Sequence, residues 1–313
     1  MNEKKIAFGA WAWGCGAAGG DQVFGNVLTE ADLKPVFDSA IENGFNLWDT
    51  AAVYGMGASE TILGGFIKDM PREDVIISTK FTPQIADGTD NAMQNMLNAS
   101  KARLHTDYID IYWIHNPFDV EKWTPELIPL AKSGQIKSIG VSNHNLAEIK
   151  RANEILGEAG LKVSAVQNHF SLLNRSSEES GILDYCRENG ITFYSYMVLE
   201  QGALSGKYNM AHPFPEGSDR AVSYNGMLQQ LEPLVKEMSA IAEKYKASAA
   251  QTAIAWAIAK GTLPIIGVTK VKHVEDAVKA LNMELTSDDV KKLETLADSI
   301  GVSTIREWEK KME

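Results

Sequence analysis

The sequence alternates short apolar runs with longer segments in which apolar residues recur at helical spacing. Eight runs predict β-strands, each followed by a region of helical periodicity. The predicted strands are 6–11, 45–49, 74–79, 107–114, 136–141, 163–167, 191–197 and 263–267, and the predicted helices are 30–43, 59–68, 89–103, 124–133, 145–157, 177–188 and 271–281. Such alternation favours a parallel sheet. Eight units without a Pro/Gly/Ser-rich linker predict an α/β fold, a single-domain (β/α)8 TIM barrel over 1–313.

Four further segments lie outside this alternation. The connection after the seventh strand, 199–225, is long for a compact domain, which is typical of a lid or binding loop. Helical stretches at about 227–245 and 248–260 follow it before the last strand. The C-terminal segment 286–313 is amphipathic and charged. We expect it to be an extra helical segment that packs across the outside or one mouth of the barrel.

The composition indicates a protein with a full apolar core and an acidic surface. Of the 313 residues, 44% are hydrophobic, and the formal net charge is −11. Nucleic acid and anionic membrane surfaces are disfavoured as partners because either would require a basic face. The charged N-terminus leads into only a short apolar run, unlike a signal peptide, and no apolar stretch approaches membrane-spanning length. We therefore expect a cytoplasmic location, with no disulfide role for Cys15 and Cys186.

A literal G-x-G-x-x-G follows the first predicted strand, from Gly14 to Gly19. In a dinucleotide-binding Rossmann turn, a helix opens at the third glycine so that its N-terminus meets the pyrophosphate. Here the helical pattern begins only near Thr29. We interpret the segment as a glycine-rich loop and not as a Rossmann fingerprint.

Polar side chains follow three consecutive predicted strands. Asp49 ends the second strand, and Tyr54 lies on the loop just beyond it. Lys80 ends the third strand, and His115 ends the fourth. One such residue alone is most often a turn former or a packing residue. Four of them at the carboxyl ends of adjacent barrel strands, where barrel enzymes carry their chemistry, predict an active site.

The residue types suggest proton transfer to an oxygen. A free phenol has a pKa of about 10, and a nearby ammonium lowers it. We therefore expect Lys80 to acidify Tyr54, with Asp49 as the counter-charge of the buried ammonium. Neutral His115 can donate a hydrogen bond that orients a substrate oxygen. Such a set suits a carbonyl that gains negative charge on accepting hydride.

A metal-dependent barrel hydrolase is the competing class of enzyme. Its site requires several converging His and carboxylate ligands, typically with an early pair of histidines. The six histidines of this chain form no such pair. We therefore predict no metal site.

The motifs around these four residues resemble those of the aldo/keto reductases. The run from Asp49-Thr50-Ala51 through Tyr54-Gly55 to Ser59-Glu60 is similar to the family's first signature. Ser78-Thr79-Lys80 matches its lysine motif, and Ile114-His115-Asn116-Pro117 its histidine motif. The resemblance extends from the first strand to about residue 281. It implies reversible, NADPH-dependent reduction of aldehydes or ketones, with Asp49, Tyr54, Lys80 and His115 as the catalytic tetrad and Tyr54 as the general acid.

The resemblance also implies a cofactor site at the ends of the later strands. The residues that match the positions hydrogen-bonding the nicotinamide amide are Ser142, Asn143 and Gln167, and Tyr196 matches the position that stacks on the nicotinamide ring. Those that match the pyrophosphate loop are Gly202, Leu204 and Lys207, and those that match the segment near the adenosine 2′-phosphate are Gly267, Thr269, Lys270 and Asp276. The family usually has Ser-Pro where this chain has Met197-Val198, and Glu-Asn where it has Asp276-Ala277. We therefore expect a modest preference for NADPH, with NADH possible.

The substrate side is less defined by the sequence. The aromatic residues near the expected mouth are Trp11, Trp13, Trp48, Phe81, Trp113 and Phe118. They suggest an apolar-lined pocket for a small-molecule carbonyl compound, although each could equally fill the core. Because some barrels of this family are cofactor-loaded regulatory subunits of membrane proteins, a binding subunit with little turnover is the alternative function.

Overall fold

The computed structural model describes residues 6–312, and these form a closed barrel of eight parallel strands in sequential order. The strands are β1 (Ala7–Gly9), β2 (Leu47–Asp49), β3 (Ile76–Phe81), β4 (Ile109–Ile114), β5 (Ile136–Ser142), β6 (Ala165–His169), β7 (Thr192–Tyr196) and β8 (Leu263–Gly267). Strand β1 pairs with both β2 and β8, which closes the ring. The predicted (β/α)8 fold is confirmed.

Thirteen α-helices accompany the strands in the described part of the chain. They are α1 (Gly20–Phe24), α2 (Glu30–Glu42), α3 (Ala58–Ile67), α4 (Ala92–Arg103), α5 (Val120–Lys132), α6 (Leu146–Gly157), α7 (Ser176–Glu179), α8 (Ile182–Glu188), α9 (Asp219–Tyr224), α10 (Leu228–Lys244), α11 (Ala249–Ala259), α12 (Val271–Leu281) and α13 (Ser287–Ile300). Helix α5 begins earlier than expected because the Asp119 side chain caps it by accepting from the Lys122 amide.

Two apolar layers hold the barrel together. The larger one lies between the strands and the surrounding helices. The smaller one fills the barrel interior, where Trp113 and Tyr194 pack edge to face with ring centroids 5.3 Å apart. The Trp113 indole N–H donates to Ser78 Oγ at 2.6 Å, and Ser78 in turn donates to Asp49 at 2.7 Å. The barrel filling therefore supports the side chains at its carboxyl end directly.

The glycine-rich loop differs from the sequence expectation. It leads into α1, a five-residue helix, so helical structure begins well before Thr29. Gly14 and Gly16 have φ values of 83° and 119°, and a Cβ on Gly14 would lie 2.7 Å from the Ala58 Cβ. The glycines are thus needed where this loop packs closely against the segment that follows β2.

The C-terminal segment is only partly helical, which corrects the expectation for 286–313. Helix α13 ends at Ile300, and Gly301 follows in the left-handed conformation (φ 67°). Residues 301–312, here called the C-terminal tail, contain no helix and cross the mouth of the barrel. Trp308 packs against Trp11 after β1, and Met312 is buried. Within residues 6–312, no helix is long and apolar enough to cross a membrane.

Candidate active site

The barrel brings the four predicted catalytic side chains to one mouth. Asp49 pairs with Ser78 in the register of β2 and β3, and Lys80 lies two residues beyond on the same face of β3. Tyr54 begins a short 3₁₀ helix after β2, and its ring lies 5.8 Å from that of His115. Lys80 Nζ is 5.0 Å from the Tyr54 ring centroid. The four side chains, although far apart in the sequence, therefore form one compact cluster.

Lys80 and Asp49 form a buried ion pair. Lys80 Nζ donates to Asp49 Oδ2 at 2.6 Å and to the Thr50 carbonyl at 2.7 Å. The other Asp49 oxygen accepts from Ser78 Oγ and, at 3.1 Å, from Gln167 Nε2. Burial lowers the pKa of Lys80, and Asp49 opposes that effect. Both partners are held by additional hydrogen bonds, as a buried pair requires.

The electrostatics at Tyr54 differ from the expectation that Lys80 acidifies it. Burial, followed by the Asp49 carboxylate, raises the pKa of Tyr54 well above 10. The physical reason is that the ammonium donates to Asp49 and the Thr50 carbonyl, so its partly compensated charge does not outweigh the burial of the phenol. Tyr54 is therefore a neutral phenol at pH 7, which is the protonation state that a proton donor needs.

His115 is held as a neutral imidazole. Burial, and then the Lys80 charge, lower its pKa well below 6.5. Its Nδ1 lies 2.9 Å from Thr82 Oγ1, so Nε2 is the ring nitrogen left to contact a substrate oxygen.

The Ser59-Glu60 pair of the first signature holds neighbouring elements together. Ser59 Oγ donates to the Ala10 carbonyl at 2.7 Å, which ties α3 to the end of β1. Glu60 is fully buried, accepts from Thr79 Oγ1 at 2.5 Å and pairs with Arg103 at 2.6 Å. These bonds fix the α3 side of the loop that carries Tyr54.

The residues matched to the nicotinamide positions lie on or directly after three adjacent strands. Ser142 ends β5, Gln167 lies on β6 and Tyr196 ends β7. Asn143 donates to the His115 carbonyl at 2.9 Å, and its Oδ1 lies 2.5 Å from the Tyr196 hydroxyl. The arrangement offers amide and hydroxyl groups beside the Tyr54 cluster, as a carboxamide-binding site would need.

A basic group lies at the expected adenosine end. Helix α12 begins after Lys270 without a side-chain cap, and the Thr269 amide donates to His273 Nδ1 at 3.1 Å. Burial lowers the pKa of His273; Asp276 opposes this, and Lys270 and Lys207 lower it further. Among residues 6–312, neither of these two lysines has a carboxylate within ion-pair distance. Lysines without an acidic partner near the uncapped N-terminus of α12 suit a phosphate.

The other residues that the resemblance assigns to cofactor binding differ in how accessible they are. Gly202 has a positive φ of 107° in the 3₁₀ segment Glu200–Ser205, whereas Leu204 is fully buried. Gly267 is the last residue of β8 and is exposed. Asp276 accepts from Gln251 at 2.5 Å and pairs with Lys272 at 3.2 Å, so its carboxylate is engaged within the protein.

Most of the aromatic residues expected around a pocket belong to the core, the alternative that the sequence left open. The four that are fully buried are Trp13, Trp48, Phe81 and Trp113. Their rings fill the spaces inside the barrel and under the helices, so we do not assign them to a pocket. Phe118 is 74% exposed on the loop after β4. Trp11 remains at the mouth, where it stacks on Tyr54 with ring centroids 5.5 Å apart.

Tertiary structure adds residues that sequence reasoning did not find. The C-terminal tail brings Trp308 to within 6.3 Å of the Trp11 ring. It also brings Glu309 to the Tyr196 hydroxyl, at 2.7 Å, and to His169, at 2.9 Å. The only signal in the sequence was the amphipathic C-terminal segment, because more than a hundred residues separate these partners along the chain.

Comparisons of the sequence with known proteins agree on one family. The family model described as Aldo/keto reductase family matches residues 5–298. The chain is 34% identical to the chloroplastic pyridoxal reductase of Arabidopsis thaliana, over 98% of this chain and 86% of the relative. It is 32% identical to the aldo-keto reductase yakc [NADP(+)] of Schizosaccharomyces pombe, over 93% and 89% of the two chains.

Solved structures show the same fold. A thermostable aldo-keto reductase, Tm1743, in complex with the inhibitor epalrestat, is 26% identical with a TM-score of 0.74, and the match covers 93% of this chain and 94% of the other. The glycerol dehydrogenase AKR11B4 of Gluconobacter oxydans is 24% identical with a TM-score of 0.81, over 97% and 94%. An aldo-keto reductase from Klebsiella pneumoniae in complex with NADPH is 24% identical with a TM-score of 0.73, over 93% and 90%.

Proposed function

The chain belongs to the aldo/keto reductase family, and we propose that it reduces an aldehyde or ketone to the alcohol with NADPH, reversibly. The observation that carries this proposal is the buried Lys80–Asp49 pair beside a neutral phenol and a neutral imidazole. These groups suit an oxygen that gains negative charge during the reaction. The first assignment is therefore an oxidoreductase that acts on carbonyl groups.

Each side chain of the cluster has a defined task in this proposal. When bound, NADPH would be the source of the hydride for the carbonyl carbon. Tyr54 donates its hydroxyl proton to the carbonyl oxygen, and Lys80, 5.0 Å from the ring, stabilises the phenolate that this transfer leaves. His115 donates a hydrogen bond that orients the same oxygen. A proton from solvent then restores Tyr54.

The described residues fit a phosphorylated dinucleotide. Lys270 and Lys207 have no acidic partner within residues 6–312, although the protein as a whole carries an excess of acid. The uncapped start of α12 adds free backbone N–H groups beside them. Asn143 and Gln167 supply polar groups at the nicotinamide end, and the Tyr196 ring supplies the surface on which the nicotinamide would stack. The relative named with NADP(+) supports the same choice.

We further propose an aromatic aldehyde as the substrate class. Trp11 stacks on Tyr54 with an interplanar angle of 22°, and Trp308 meets Trp11 edge to face. The flat ring of an aromatic substrate can pack against these tryptophan rings with its carbonyl group next to Tyr54. The name of the pyridoxal reductase relative makes pyridoxal, a substituted aromatic aldehyde, the first compound to test.

The test is a panel of carbonyl compounds, including pyridoxal, benzaldehyde and aliphatic aldehydes, followed by NADPH absorbance. Tyr54→Phe removes one hydroxyl and keeps the ring, so reduction should fall by at least about a hundredfold while NADPH still binds. Tyr108→Phe is the matched control, because Tyr108 precedes β4 at the opposite end of the barrel.

Two results would contradict the proposal. Near-normal kcat in Tyr54→Phe would remove Tyr54 from the role of proton donor. Tight NADPH binding by the wild-type protein with no turnover across the panel would instead favour the cofactor-binding regulatory subunit.

A further inference from the structure

The C-terminal tail places the Glu309 carboxylate against Tyr196, the residue that we assign to stacking on the nicotinamide ring. The Glu309 side chain is 2% exposed and accepts from the Tyr196 hydroxyl at 2.7 Å. We propose that Glu309 is a positioning residue for the cofactor, which acts by fixing the Tyr196 ring on which the nicotinamide stacks. This inference rests on the proposed NADPH-dependent function. It assigns the end of the chain a part in cofactor binding.

The Tyr196 hydroxyl lies between two acceptors. Asn143 Oδ1 is 2.5 Å away and Glu309 Oε1 is 2.7 Å away, whereas a phenol has a single proton to donate. A carboxylate is the stronger acceptor because its hydrogen bonds are charge-assisted. Burial, and then Glu309, raise the pKa of Tyr196 well above 10, so the proton stays on the phenol. Glu309 thus decides where this ring is held.

His169 holds Glu309 in that position. Its Nδ1 lies 2.9 Å from Glu309 Oε2, and its Nε2 lies 2.8 Å from Glu200 Oε1. Burial alone would lower the pKa of His169, but the two carboxylates outweigh that effect and raise it to about 10. His169 is therefore an imidazolium at neutral pH that bridges the barrel wall and the tail.

Glu200 anchors the other side of this bridge. It is fully buried and accepts from the Tyr224 hydroxyl at 2.7 Å, from Thr304 Oγ1 at 3.1 Å and from Ser171 Oγ. Each partner comes from a different part of the chain, and Thr304 belongs to the tail itself. The network is fully hydrogen-bonded, which is the condition for a buried ionic cluster to be rigid.

The tail is attached at several further points, which favours a permanent part of the site over a blocking segment. The Arg306 amide donates to Glu309 Oε2 at 2.9 Å. Lys310 pairs with Glu148 at the start of α6, and Met312 is buried beside Asn168. A segment held on both sides of Glu309 keeps the carboxylate in place when a cofactor binds.

The test compares NADPH binding by the wild-type protein and by Glu309→Gln. The amide keeps the size of the side chain but removes its charge and one of the two acceptor oxygens that Tyr196 and His169 use. We expect the Kd for NADPH to rise about tenfold, as the loss of one charge-assisted hydrogen bond predicts, with little change in the KM for the carbonyl substrate. Glu307→Gln is the matched control, because Glu307 lies on the same tail, is exposed and has no ion pair within the described residues.

A double-mutant cycle with Tyr196→Phe separates positioning from general stability. If Glu309 acts through the Tyr196 hydroxyl, adding Glu309→Gln to Tyr196→Phe should change the Kd less than twofold. A Glu309→Gln protein with a lowered Tm but wild-type NADPH affinity would overturn the inference, as would an equal effect in both backgrounds. Tighter NADPH binding by Glu309→Gln would overturn it in favour of a blocking tail.

The same measurements distinguish this inference from the proposed reaction. If the wild-type protein binds NADPH but reduces no carbonyl compound, the proposed reaction is wrong. The Kd values of the wild-type and Glu309→Gln proteins would still decide the role of Glu309. Wild-type protein that reduces carbonyls, with Glu309→Gln unchanged in Kd, would end the inference alone. Wild-type protein that does not bind NADPH would overturn both.

Discussion

At the residue scale, we propose that the Lys80–Asp49 pair serves both folding stability and catalysis, and mutation can separate the two roles. The pair is buried on both sides, with 0% and 6% of the side chains exposed, so each charge depends on the other for its stability. Lys80 also lies beside the phenol that we propose as the proton donor. Activity and folding stability should therefore respond differently to changes at the two positions.

Lys80→Met should lower kcat/KM by about a hundredfold, because the phenolate formed in the reaction loses its nearby cation. Asp49→Asn should lower the free energy of unfolding by about 3–5 kcal/mol, because it leaves a buried ammonium without its partner. The double mutant should be less destabilised than the sum of the two, as measured by urea unfolding.

Lys34→Met is a suitable comparison for these variants. The Lys34–Asp38 pair lies on the surface, with 53% and 45% of the side chains exposed. Loss of this surface pair should lower the free energy of unfolding by less than about 1 kcal/mol. Purely additive effects of Lys80→Met and Asp49→Asn would show that the buried pair is not coupled.

At the element scale, the start of α12 is where the choice between the two nicotinamide dinucleotides is made in our proposal. Lys270 immediately precedes the helix and is its N-cap residue, with no side-chain capping bond. The helix N-terminus favours an anion, and a lysine acts on a phosphate as a point charge. NADH has no 2′-phosphate, so only NADPH gains from this arrangement.

Lys270→Ala should reduce the preference for NADPH, measured as the ratio of the two Kd values, by roughly tenfold or less. We expect a modest effect because Lys207, like Lys270, lies near His273 and stays in the variant. The N-terminus of α12 is also unchanged. Lys279→Ala, at the exposed opposite end of α12, is the matched control. An unchanged ratio in Lys270→Ala would make Lys270 an ordinary surface lysine.

At the scale of the whole molecule, the C-terminal tail links the last part of the chain to the barrel through His169. The pKa of His169 is about 10 in the folded protein, against about 6.5 in an unfolded chain. A raised pKa stabilises the folded state fully below pH 6.5, and this stabilisation is lost as the pH rises toward 10. The titratable groups that face the imidazole are Glu200, Glu309 and Tyr196, whose ring centroid lies 5.6 Å from that of His169.

The thermal stability of the wild-type protein should therefore fall between pH 7 and pH 10. His169→Asn should be less stable at pH 7, with a Tm lower by roughly 5 °C or more, and should show a flatter decline over this range. His212→Asn, at an exposed loop position, should retain the wild-type slope. If His169→Asn declines as steeply as the wild-type protein, the imidazole is not charged in the folded state.

The order of strands and helices could be predicted because apolar periodicity is a local property. The eight strands lie where the apolar runs indicated, and parallel pairing follows from the intervening helices. Asp49, Lys80 and His115 could be placed together because each lies at the carboxyl end of one of three neighbouring strands. Their closeness is a consequence of barrel topology, which the sequence pattern already determined.

Other features depended on contacts between distant residues. The direction of the Tyr54 pKa depends on where the Lys80 ammonium points, and the sequence cannot show that Asp49 and a backbone carbonyl compensate it. Whether Trp113 lines a pocket or fills the barrel depends on the twist and register of the strands. The contact of Glu309 with Tyr196 joins residues separated by 113 positions, and no local pattern encodes it. The sequence thus determined the barrel and the residues of the proposed proton-transfer cluster, whereas tertiary packing alone decided their charges and the path of the tail.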